Sequence, residues 1–147
     1  MDRKFLAFVA SLVLLGAFLP RAEAGEKVWS GLVVATNVAN PTLPPPEMHR
    51  LQGTLQRTFG YNQFELIGQS RNTLRSGEEN WLASSKHFSL HVDAQGTTRD
   101  GYRLNLKLYQ DQEILLETDA TLSRSSPLVV KGPEVGAGQL LLLLVVE

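Results

Sequence analysis

Between Lys86 and Leu122 apolar and polar residues alternate in three successive runs, a period of two that fits an extended strand with one buried face. In the first, Phe88, Leu90 and Val92 take one side and His87, Ser89, His91 and Asp93 the other. In the second, Tyr102, Leu104, Leu106 and Leu108 oppose Arg103, Asn105, Lys107 and Tyr109. In the third, over Ile114 to Leu122, Leu116, Thr118, Ala120 and Leu122 oppose Glu117, Asp119 and Thr121. Polar turns at Ala94–Gly101 and Gln110–Gln112 separate them. Strands of this kind must stack their apolar faces on something.

The rest of the chain supplies partners. Val28 to Thr36, with Trp29, Leu32, Val33 and Val34, reads as a first strand. Tyr61 to Gln69, Trp81-Leu82-Ala83 and Leu128 to Lys131 are shorter candidates, with a bend around Ser76-Gly77. Gln139 to Glu147 is apolar without alternation, so both its faces are expected to be buried. Pro46 to Thr58 is the one convincing helix: Met48, Leu51, Leu55 and Phe59 form a single stripe, and Gly60 stops it. A helix of three turns is marginal alone, so its stripe should pack on a sheet. Pro44-Pro45-Pro46 is read as a stiff lead-in to that helix, in preference to a PxxP partner motif.

Short strands with turn signals every 8–12 residues are the pattern of an antiparallel sandwich. The expected fold is mainly β: an antiparallel β-sandwich of about seven strands, with one short amphipathic helix after the first. The spacing resembles immunoglobulin-like sandwiches in architecture only, because their Cys…Trp…Cys pattern is missing.

Arg3 and Lys4 precede Phe5–Leu19, an uncharged run whose one polar side chain is Ser11; Pro20 ends it and Ala22-Glu23-Ala24 follows. That is the layout of a secretory signal peptide, with cleavage expected after Ala24. The run is short of the roughly 20 apolar residues a spanning helix needs. Residues 25–147 would then form one exported sandwich, periplasmic or secreted, with 11 basic and 13 acidic side chains. No membrane span is expected after cleavage. A formal charge near neutrality argues against a nucleic-acid binder that works by displacing counterions from phosphates. The absence of cysteine excludes disulfides, thiolate catalysis and zinc sites built on Cys.

Four constellations invite chemistry and each has a plainer explanation. His87 and His91 would share a face of a helix, but their run is a strand, where four residues span about 13 Å; a solvated face is expected, with His49 apart on the helix. Serines occur without a G-x-S-x-G elbow. Lys131–Gly138 lacks the Gly-Lys-[Ser/Thr] of a phosphate loop and leads into a strand, so a hairpin turn accounts for its glycines. Glu78-Glu79 and the pair Glu117/Asp119 read as charged outer faces.

The expected function is therefore a non-enzymatic module that binds another envelope protein through an edge strand or a loop surface, with no catalytic set, metal or cofactor assigned. Trp29, Trp81 and Tyr109 are the candidate partner contacts. Two rival classes remain: a small hydrolase or metal enzyme using His49, His87 or His91, and a carrier with an apolar pocket beneath Met48, Leu51 and Leu55.

Overall fold

The computed structural model describes residues 25–147; the expected signal peptide, residues 1–24, lies outside the described residues. Eight strands and one helix follow in the order β1 (Glu26–Thr36), α1 (His49–Phe59), β2 (Gln63–Leu74), β3 (Glu79–Ser84), β4 (Phe88–Thr97), β5 (Gly101–Gln110), β6 (Glu113–Ser123), β7 (Leu128–Val135) and β8 (Gly138–Val146). They form two four-stranded antiparallel sheets, β2-β1-β8-β7 and β3-β4-β5-β6. The mainly β sandwich with one helix is thus observed, with eight strands where turn spacing gave about seven. The second sheet is an uninterrupted meander, so the likeness to immunoglobulin-like sandwiches stops at two stacked antiparallel sheets.

The alternating runs explain the interior. Leu90 faces Leu108, Val92 faces Leu106 and Ala94 faces Leu104 across β4 and β5, and all are buried. They pack on Leu140, Leu142 and Leu144 of β8 and on Val28 and Leu32 of β1. The other face of β8, Leu141 and Leu143, joins Trp29, Val33, Phe64, Met48, Leu51 and Leu55 in a second core under the helix. The lack of alternation in β8 follows: it lies inside its sheet with the other sheet on one side and α1 on the other.

A single 3-10 turn, Pro46–Met48, leads into α1, and Pro46 opens it as expected for proline at a helix start. The lead-in is anchored, since Thr42 N–H donates to Gln63 Oε1 (2.8 Å) and Gln63 Nε2 donates back to Thr42 Oγ1 (3.0 Å). Gly60 ends the helix in the left-handed region, φ 74°, its N–H donating to Gln56 O at 2.9 Å. The Lys131–Gly138 stretch is the end of β7, a two-residue turn at Gly136-Ala137 and the start of β8. A hairpin is what the sequence implied there, with a shorter turn than the run of glycines suggests.

The sandwich has a closed side and an open side. On the closed side β2 runs against β3; Ala83 N–H donates to the buried Ser30 Oγ at 2.9 Å, and a Cβ at Gly68 would run into the Ser84 carbonyl. On the open side β6 and β7 approach each other much more sparsely. The layers are helix, first sheet, second sheet. Among the described residues, no element lies over the outer face of the second sheet.

Candidate functional site: an aromatic strip on the uncovered sheet

The polar side chains of β4, β5 and β6 point to that uncovered face because their apolar neighbours are committed to the core. Trp81 of β3 pairs with His91 of β4 in register. Its indole meets the His91 ring edge-on, centroids 4.8 Å apart, and lies 5.4 Å from the ring of Tyr109 on β5. Trp81 nevertheless keeps 58% of its surface exposed. His91 is half-buried beneath it, with Nδ1 shut off from solvent and without a hydrogen-bond partner.

The strip continues to the sheet edge. Tyr109 faces Ile114 of β6, and the register between β5 and β6 shifts at this point, leaving Leu115 as the extra residue of a bulge. Beyond the bulge Leu116 faces Leu108 inward, and before it Ile114 turns outward beside Tyr109. Ile114 and Leu115 are 52% and 40% exposed. Trp81, Tyr109, Ile114 and Leu115 therefore make an apolar band across the width of the sheet. A contiguous exposed apolar patch on a small protein marks an interaction surface more often than a lone exposed leucine does.

Acids flank the band along β6. Glu117 and Asp119 share the outer face, and the Asn105 side-chain N–H2 donates to both carboxylates at 3.1 Å. Lys107 stands opposite Glu117 in register.

Two of the three candidate contacts, Trp81 and Tyr109, come together in this strip. The third is corrected. Trp29 lies under α1, 3% exposed, its indole N–H donating to Gln69 Oε1 at 2.9 Å, so its ring is committed to the core and offers almost no surface as an anchor. The outer face of β1 is covered by the helix, and that covering buries it. Ile114 and Leu115 went unrecognised in the sequence, where Ile114 has the parity of the inward residues Leu116 and Ala120. The doublet Leu115-Leu116, which interrupts the alternation, was the available signal.

The histidines are dispersed. His49 Nε2 is 3.1 Å from Pro44 O, His87 Nδ1 is 3.3 Å from Asp111 Oδ1 in the neighbouring turn, and His91 lies under Trp81. Among the described residues no three His, Asp or Glu side chains are grouped as metal ligands. The pocket imagined beneath Met48, Leu51 and Leu55 is filled by those side chains, which rest on the sheet. A cavity of about 410 Å3 does open beside the helix, floored by Trp29, Leu51 and Val145 and ringed by Arg50, Arg71 and Arg124. Its lining is mixed, and Arg71 and Arg124 are already engaged: Arg71 Nε is 3.1 Å from Glu147 Oε1, and Arg124 Nε is 2.7 Å from Glu26 Oε1. The hydrogen bond to Glu26 and, after it, the one to Tyr102 hold the Arg124 guanidinium above its ordinary pKa.

Comparison with protein-family models, with curated proteins and with solved structures finds no match to this chain.

Proposed function

We propose that this protein is a small exported, non-enzymatic binding module that docks another envelope protein on the outer face of its second sheet. The observation that carries the reading is the band Trp81–Tyr109–Ile114–Leu115. Trp and Tyr at the centre of an interface are the side chains whose truncation most often weakens binding by 2 kcal/mol or more, about 30-fold. The fold has no need of Trp81 in either core, so its exposure is left for a partner to cover. Export rests on the signal-peptide layout of residues 1–24.

The test is recovery of the partner by affinity purification after cross-linking in the native host, comparing the wild-type protein with Trp81→Ala and Tyr109→Ala. A specific envelope protein should co-purify with the wild type and fall at least tenfold with either variant. Equal recovery by all three, or recovery of nothing, would remove the reading.

A further inference from the structure

We infer that the partner of this face adds an extended, basic segment as a fifth strand along β6; this rests on the protein-docking reading above and specifies its chemistry.

Two sheets have four edges, and three are obstructed. β2 and β3 lie against each other on the closed side, where Ala83 N–H is held by Ser30 Oγ and the Trp81 carbonyl accepts from Asn72 Nδ2 at 3.4 Å. β7 is interrupted by the register shift between Lys131 and Glu134, and Pro133 in that interval has no N–H to offer. β6 ends its sheet on the open side. From Leu116 to Ser123 it is paired without a break to β5, so it presents a regular edge eight residues long. An uncovered, regular edge is a template for another strand.

The charge of that edge selects its occupant. Glu113, Glu117 and Asp119 are exposed, and β6 contains no lysine or arginine. A second copy of this chain is disfavoured. In an antiparallel β6–β6 pair with its two-fold axis at any residue from Leu115 to Asp119, an acid of one copy stands directly opposite an acid of the other. With the axis at Thr118, Glu117 faces Asp119 twice. Like charges directly opposite destabilise a strand pair, and opposite charges stabilise it. A strand with Lys or Arg two residues apart meets Glu117 and Asp119 on the outer face. An apolar residue beyond them reaches Ile114 and Leu115, which joins the edge to the aromatic band.

Three synthetic ten-residue peptides test this on the full protein: alternating Lys and Thr, alternating Glu and Thr, and the Lys-Thr peptide with alternate amides N-methylated. The Lys-Thr peptide is expected to bind at least tenfold more tightly than either of the others and to slow amide hydrogen exchange within residues 116–122. In the double variant Glu117→Lys/Asp119→Lys, checked for an unchanged circular dichroism spectrum, the preference should pass to the Glu-Thr peptide. Equal binding of the N-methylated peptide would show attraction by charge without strand addition and would overturn the proposal. So would protection mapping elsewhere, an unaltered preference in the double variant, or no binding of any peptide. If these fail while Trp81→Ala still loses the native partner, strand addition falls and the docking face stands.

Discussion

The indole of Trp81 and the imidazole of His91 meet edge to face across the β3–β4 pair, ring centroids 4.8 Å apart, on the side of the sheet away from both cores. An edge-to-face contact of this kind contributes about 0.5–1.5 kcal/mol, and it fixes the orientation of a tryptophan that the interior does not use. Trp29, the other tryptophan, is enclosed between α1 and the first sheet.

The two tryptophans should respond oppositely to truncation. Trp29→Ala removes a buried ring and is expected to destabilise the fold by about 3–5 kcal/mol. Trp81→Ala should cost clearly less, about 1–2 kcal/mol for its two exposed ring contacts with His91 and Tyr109. Urea unfolding of the two variants measures both. Comparable losses would mean that Trp81 serves the fold.

Iodide quenching gives an independent reading. In Trp29→Phe the remaining fluorophore is Trp81, which should be quenched readily and emit at long wavelength. In Trp81→Phe the remaining Trp29 should be shielded and blue-shifted. A shielded Trp81 would contradict the exposed band.

Ser30 has a specific load. Its Oγ is buried and accepts the Ala83 N–H across the closed side of the sandwich. Ser30→Ala leaves that N–H without its partner, a loss of about 1–3 kcal/mol. Hydrogen exchange at Ala83 should accelerate in the variant; unchanged exchange would show that the contact does not hold β3 in place.

Arg124 sets a limit on pH dependence. Its folded pKa is raised, first by the hydrogen bond to Glu26. A group raised in this way contributes stability that is complete below its unfolded pKa, already far above neutrality, and is lost only as pH rises through the still higher folded value. The difference in melting temperature between wild type and Arg124→Gln should therefore stay constant from pH 6 to pH 10. A difference that closes by pH 10 would contradict the pairing.

Much of the scaffold could be read from residue order. Phe88, Leu90 and Val92, then Leu104, Leu106 and Leu108, sit in the core where alternation places them. The stripe Met48–Leu51–Leu55 packs on a sheet, and the unbroken run of β8 lies between two cores. The strip was only half legible, for two physical reasons. Side-chain parity reverses at a bulge: Leu115 turns Ile114 outward, and the register shift between Trp81 and Ser84 hides the parity of a six-residue strand. The first strand, apolar on both faces, carries no sign of which residues a helix will cover, so Trp29 could not be placed.

The central claim, that a partner covers the outer face of the second sheet, is tested most directly by site-specific photo-cross-linking in the native host. A photoreactive phenylalanine derivative would replace Ile114 in one variant and Gln52 in the other. Ile114 stands at the edge end of the band, and Gln52 lies on α1 at the opposite side of the molecule. The expected result is one discrete envelope-protein adduct from position 114, absent from position 52 and abolished by Trp81→Ala. Adducts of equal yield from both positions, or an adduct at 114 that survives Trp81→Ala, would contradict it.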